Sequence, residues 1–503
     1  MARILLLNSN RCKQPWPVMP FGLCCVATAC KRAGFQVRLV DLCFSTNCTR
    51  DIVRAVDTFQ PDVAGVGIRN IDTGNGLTNR FMLDEVSRDV VQPLKAAFSG
   101  PIVIGGPAVG ISAEAMLDFF DLEYAVRGDG EPAIVELVRR VAAKQSLKDS
   151  PGIVIRGEGK TLHAMPPCRA ADLDTPLIES LGQYIDYRRY ARYDSPIQIQ
   201  TKRGCALHCS YCTYNRIEGH VYRLRDVEQV VDEIERLTAE TGIDHVEFVD
   251  STFNVPLDHA KAVLRALIRK GLRLRLRTMG LNPCAVDEEL LDLMKTAGFA
   301  DVDLGAESGC NETLSGLGKN FGANDVLQAG ELLRRWNIPT TWYLLFGAPG
   351  ETPETVTESL ATITQAAGNN NLICAGIGIR AYKGSPIAES MRRANSQCSE
   401  DDFLRPVDYH PERITLEEIK RLVQLARFQH PNIFITPDDQ TFPLFLQALG
   451  VFLLRVFGSR QPIWKWFILL RKLEMVLGIN RVKYWLWLLR NKGPATSKQE
   501  ELS

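Results

Sequence analysis

The first 140 residues alternate short apolar runs with stretches of helical period. RILLLNS reads as a strand, and PFGLCCVATACKRAG as a helix closed by Gly34. FQVRLVDL, PDVAGVGI, PIVIGG and YAVRG read as four further strands, separated by helical lengths. Strands spaced in this way are joined by crossovers, which predicts an α/β fold with a parallel, doubly wound sheet. From Pro196 the pattern restarts. PIQIQTKRGC, HVEFVDSTF, LRLRTMGL, DVDLGAES, PTTWYLLFGAPG and CAGIGIR are six apolar runs with helical segments between them. Six such units predict a partial (β/α)6 barrel with its chemistry at the carboxyl ends of the strands.

This pattern divides the chain into a sheet domain (1–145), a turn-rich linker (146–195), a barrel (196–400) and a helical C-terminal region (401–503). Composition changes little in that picture: 45% hydrophobic and 23% charged residues is ordinary for a globular chain. Lys plus Arg and Asp plus Glu both number 59, so no global field recruits nucleic acid. The start, MARILLLNSNRCK, has too short an apolar stretch for a secretory signal. Fourteen cysteines then point to a reducing compartment, the cytoplasm, with Cys24, Cys25 and Cys30 as buried filler.

The unusual residues of the first domain lie at its strand ends: IRNID (68–72), GGPAVG (105–110) and RGDGEP (127–132). Ligands of doubly wound sheets bind there, and glycine lets them approach the backbone. A nicotinamide site would need G-x-G-x-x-G after strand one, where the chain has NSNRCKQPWP. No histidine precedes His163, so this domain has no imidazole for a metal. Arg69 is expected to serve as a ligand contact or as an ion-pair partner, with Asp72 within its reach.

In the barrel, Cys205, Cys209 and Cys212 follow the first strand in TKRGCALHCSYCTY. A structural zinc site wants four ligands, commonly as two separated pairs, and His208 would complete a very cramped one. An iron–sulfur cluster is the other reading: three thiolates would leave one iron open to a small molecule.

The C-x3-C-x2-C loop, with Tyr211 before its last cysteine, resembles the radical S-adenosylmethionine (SAM) superfamily. LGAESG (304–309), LLFGAPGET (344–352) and IGIRAYKGSPI (377–387) are similar to its later strands. The resemblance implies a [4Fe-4S] cluster on Cys205, Cys209 and Cys212, whose open iron chelates SAM. It also implies SAM contacts from Tyr211, Asp250, Glu307, Gly347 and Arg380. In that family one electron cleaves SAM to a carbon radical able to attack unactivated C–H bonds.

A sheet domain ahead of such a barrel is similar to the cobalamin-binding subfamily. Arg69, Asn70, Asp72, Gly105, Gly106, Gly128, Gly130 and Glu131 are implied to cradle the corrin, with Arg69 facing cobalt. Asp129 replaces the first glutamate of the more usual G-E-G-E, and Asp-x-His-x-x-Gly is absent, so no axial histidine is implied. The implied activity is methyl transfer from SAM, through methylcobalamin, to an unactivated carbon of a natural product or lipid. Radical cyclisation or rearrangement is the alternative, and a non-catalytic cobalamin carrier or sensor is a second. The partners implied are a small-molecule, lipid or peptide substrate and an electron donor such as flavodoxin or ferredoxin.

Past 400, ITLEEIKRLVQLARFQ reads as a helix capped by Thr415. The last sixty residues mix Trp464, Trp466, Trp485 and Trp487 with many Lys and Arg. Their longest uncharged apolar run, FPLFLQALGVFLL, falls short of the roughly 20 residues that span a bilayer. The expectation is either peripheral contact with the inner face of the membrane or packing on the barrel, including over its substrate mouth.

Overall fold

The computed structural model describes residues 1–13, 16–74, 76, 79–157, 162–394, 399, 401–436 and 461–490. β1 (Arg3–Asn8), β2 (Gln36–Asp41), β3 (Val63–Gly67), β4 (Ile102–Gly105) and β5 (Tyr124–Val126) are all parallel, in the order 2-1-3-4-5. Helices cover both faces, which explains the unbroken apolar runs. Along β1, Ile4 and Leu6 enter one core cluster while Leu5 and Leu7 enter the other, on the opposite face. The strand order reverses between β1 and β3 and opens a crevice at their carboxyl ends. β6 (Ile153–Arg156) and β7 (Leu162–Ala164) extend the sheet antiparallel, from within the stretch expected to be linker.

β8 (Ile197–Ile199) opens the second domain, followed by an antiparallel pair, β9 (Lys202–Arg203) and β10 (Arg223–Leu224). β11 (His245–Phe248), β12 (Arg275–Thr278), β13 (Val302–Glu307), β14 (Thr340–Phe346) and β15 (Leu372–Ile377) complete the six expected strands. They form two parallel sheets, stitched by isolated bridges at Leu276–Phe299 and Leu281–Leu304 into one open barrel. A short antiparallel pair, β16 (Ile379–Arg380) and β17 (Asp408–Tyr409), follows. β18 (Ile433–Thr436) then pairs in parallel with β15 as a seventh strand, which the sequence pattern did not mark. Fully buried Trp342, and Phe248 stacked on Phe253 at 4.7 Å, fill the interior. Each such side chain contributes about 1.5–3 kcal/mol by leaving water.

The helix Leu416–Gln429 is capped as expected, the Thr415 hydroxyl accepting from the Glu418 N–H at 3.2 Å. Two further helices, Trp464–Val476 and Ile479–Arg490, form a hairpin. It packs at the amino ends of the barrel strands, where Trp464 Nε1 donates to Asp301 at 3.4 Å and Lys472 Nζ to Asn370 at 2.8 Å. The mouth lies at the other end, so these helices do not cover it. The run FPLFLQALGVFLL lies outside the described residues.

Candidate active site

The cysteine loop is closed at its base by β9 and β10. Gly204 enters it at φ +93°, where a side chain would collide with the Val221 carbonyl oxygen. Cys205 is buried, and its N–H donates to the Gly219 carbonyl at 3.0 Å. The Ser210 N–H donates to the Leu317 carbonyl at 2.8 Å, fixing Cys209 and Cys212 against the helix after β13. Burial pushes the Cys212 thiol up to about 11 and raises that of Cys209. A cationic metal centre reverses such shifts, because thiolate is the ligating form. Among the described residues no three His, Cys, Asp or Glu side chains converge as on a single ion. Three thiols on one loop suit a cluster held by three thiolates with one iron left open, whereas a closed zinc site wants four ligands. His208 instead stacks on His220, with centroids 6.3 Å apart.

Glu307 ends β13 with φ +61°, a conformation that costs a non-glycine residue about 1–3 kcal/mol. Its carboxylate Oε1 accepts from the Tyr211 hydroxyl at 2.8 Å and from Lys319 Nζ at 3.2 Å. Lys319 also donates to the Tyr211 oxygen at 2.9 Å and hydrogen-bonds Cys209. Burial depresses the Lys319 ammonium, but Glu307 and Cys209 more than offset it, so it stays charged. Lys319 was missed from sequence: SGLGKN shows only a lone cation between turns.

Three of the expected SAM contacts have partners within the protein. Asp250 is buried, and its carboxylate accepts from the Thr201 N–H (2.8 Å), the Thr201 hydroxyl (2.7 Å) and Lys202 Nζ (3.3 Å). It therefore braces the strand leading into the cysteine loop. Gly347, at φ +99°, gives its N–H to Glu351 Oε2 at 2.5 Å and stands off the mouth cavity. Arg380 lines that cavity, but its Nε is paired with Asp72 at 2.8 Å.

The last contact also corrects the expectation for Asp72. It partners Arg380 and the Tyr382 hydroxyl (2.9 Å) and not Arg69. Glu131 is likewise paired, with Arg203 at 2.5 Å, and Asp129 with Arg223, at 2.6 Å. These acidic loop residues tie the sheet domain to β9 and β10.

What remains at the sheet edge is a cavity of about 340 Å³. Arg69, Gly105, Gly106, Gly128, Gly130 and Glu131 contribute to its wall, while Asn70 stands outside the lining. Gly106 has φ +108°, and a Cβ there would sit 2.5 Å from the Ile68 carbonyl oxygen. A Cβ on Gly105 would meet only Val126, at 3.8 Å. Such a floor of bare backbone, with exposed Arg69 at its rim, suits a large planar ligand with amide side arms. No histidine lines it.

A second cavity, of about 390 Å³, occupies the barrel mouth between Tyr211, Glu307, Tyr343, Gly378, Arg380 and Thr436. Met279, just beyond β12 and half exposed, lines both cavities. This side chain thus borders both the sheet-edge cavity and the cavity of the barrel mouth.

Comparison with known proteins agrees with this division. The family model of the B12 binding domain matches residues 16–138, and that of the radical SAM superfamily matches 199–363. A tryptophan 2-C-methyltransferase of Streptomyces laurentii is 28% identical over 444 residues, 76% of this chain and 73% of that protein. A hopanoid C-3 methylase of Methylococcus capsulatus is 28% identical over 335 residues, 62% of this chain and 61% of that protein. The solved structure of the radical SAM methyltransferase TsrM of Kitasatospora setae, with cobalamin and [4Fe-4S] cluster bound, superposes with a TM-score of 0.80. It covers 96% of this chain and 100% of that one at 24% identity. The cobalamin-dependent radical enzyme OxsB gives a TM-score of 0.62 over 90% of this chain and 67% of that one, at 15% identity.

Fold and site define a radical SAM enzyme with a B12-binding domain at its amino end. Its cofactors are a [4Fe-4S] cluster, SAM and cobalamin.

Proposed function

We propose that this chain moves the methyl group of SAM to a poorly reactive carbon of a small organic substrate. The shared wall at Met279 carries the reading: the sheet-edge cavity and the mouth adjoin at this side chain, so a methyl group leaving the first passes to the second there. Named relatives with related chemistry, the tryptophan and hopanoid methylases, support it. When bound, the cluster supplies an electron and an open iron, and cobalamin supplies a methyl carrier.

The residues divide the work. Cys205, Cys209 and Cys212 hold the cluster, and Lys319 keeps positive charge beside Cys209. Glu307, pinned by Tyr211 and Lys319, presents its free Oε2 to the amino group of SAM. Gly105, Gly106, Gly128 and Gly130 let the corrin lie on the backbone. Arg69, at the cavity rim, would bring to the bound cofactor a guanidinium that has no lone pair to donate. Tyr343 and Met279 bound the substrate space. An electron donor such as flavodoxin or ferredoxin, and a membrane met by the C-terminal helices, are the partners in this reading.

Met279→Trp tests the shared wall. Both cofactors should still bind while product formation falls at least tenfold, a ratio that Met279→Leu restores. Product formation unchanged in Met279→Trp would contradict the route.

A further inference from the structure

The hairpin at the foot of the barrel is amphipathic with its apolar face turned outwards. In the first helix Trp466, Leu469, Leu470, Leu473, Val476 and Leu477 are each at least 40% exposed. Spaced three to four residues apart, they form a single stripe. The opposite side of this helix is anchored: Trp464, Ile468 and Arg471 are buried, and Arg471 donates to the Arg427 carbonyl at 2.9 Å. The second helix repeats the arrangement with Ile479, Val482, Trp485, Leu486 and Leu489, all at least 41% exposed. Asn480 is buried on its inner side, donating to the Phe428 carbonyl at 2.6 Å. Lys483 and Glu474 bridge the two helices at 2.8 Å and hold them side by side.

A soluble monomer seldom exposes apolar side chains so contiguously, and a patch of this kind marks a contact. The charge identifies the occupant. Residues 464–490 contain six Lys or Arg and one acid, in a chain whose total charge is zero. Lys465 and Lys472, two turns apart, follow one edge of the first stripe, and Arg481 and Lys483 flank the second. Trp and Leu on one face with cations along its borders match an anionic bilayer surface, where apolar groups enter the acyl boundary and cations meet phosphates. Among the described residues no helix is long and apolar enough to cross a membrane, so this contact lies in the plane of the interface.

We propose that the 464–490 hairpin docks the enzyme flat on an anionic phospholipid surface. Docked this way, the foot of the barrel faces the lipid and the mouth, with Glu307 and Tyr343, faces water. The hairpin is an anchor and not a lid.

The test uses the full-length cofactor-loaded protein and vesicles of phosphatidylcholine with or without phosphatidylglycerol. Sedimentation should show at least tenfold stronger binding to the anionic vesicles, weakened by salt. Brominated acyl chains should quench the Trp466 and Trp485 emission. Leu470→Glu with Trp485→Glu should abolish binding while cobalamin absorbance and methyl transfer persist. Equal binding by the double variant, or none by the wild type, overturns the proposal. A wild-type dimer that the same substitutions dissociate, without vesicle binding, also overturns it and identifies a second copy as the occupant.

Discussion

Arg380 and Asp72, 308 positions apart in the chain, form a buried ion pair at 2.8 Å between the last barrel strands and the sheet domain. Their side chains are 2% and 0% exposed, so neither charge can fall back on water. Arg380→Ala strands the Asp72 carboxylate, and breaking a buried pair from one side costs about 3–5 kcal/mol. Denaturant unfolding of the apoprotein should show that loss. The Asp72→Asn, Arg380→Gln double variant should lose less than the single one.

Lys319 is the residue on which the position of Glu307 depends. A hydrogen bond to a charged group contributes about 1.5–3 kcal/mol. Lys319→Met should therefore weaken SAM binding roughly 10- to 100-fold. It should also lower the reduction potential of the cluster by removing a cation beside Cys209. Lys319→Arg should recover part of both. SAM titration followed by electron paramagnetic resonance reads the two effects separately.

Gly106 tests the corrin cradle. Alanine there is strained by φ +108° and collides with the Ile68 carbonyl oxygen at 2.5 Å. Cobalamin retention after gel filtration should fall at least tenfold in Gly106→Ala. Gly242→Ala is the control: that helix end also has positive φ but open space around it, and its variant should keep the cofactor.

Glu351 makes stability depend on pH. Its Oε2 accepts from the Gly347 and Ala348 N–H groups, yet burial raises its carboxyl to about 7. A raised acid binds its proton more tightly folded than unfolded, so stability is full below about 4.5 and falls as pH rises to about 7. The loss is about 3 kcal/mol at most, from 1.36 kcal/mol per pH unit. Glu351→Gln should flatten that slope in unfolding measured from pH 5 to 8.

Much of this molecule is written in its local pattern. Eleven strands follow apolar runs, and the cysteine spacing and strand-end glycines stand out at the loops beside the two cavities. What escaped notice depends on distant partners. Asp250 and Asp72 looked like ligand contacts because they stand at strand ends, but Lys202 and Arg380 claim them. Arg203 and Glu131, 72 positions apart, reveal their pairing only when the domains meet. β18 is four residues long and owes its existence to the open edge of β15. Lys319 carries no periodic signal at all.

The central claim is that a methyl group crosses from the sheet-edge cavity to the mouth. The direct measurement is an anaerobic single turnover with methyl-labelled SAM, sampled over time and resolved into cobalamin, substrate and nucleoside fractions. The account predicts label first with cobalamin and then on a substrate carbon, in equal amounts. Release of 5′-deoxyadenosine with unlabelled cobalamin and a cyclised or rearranged, unmethylated product would contradict it.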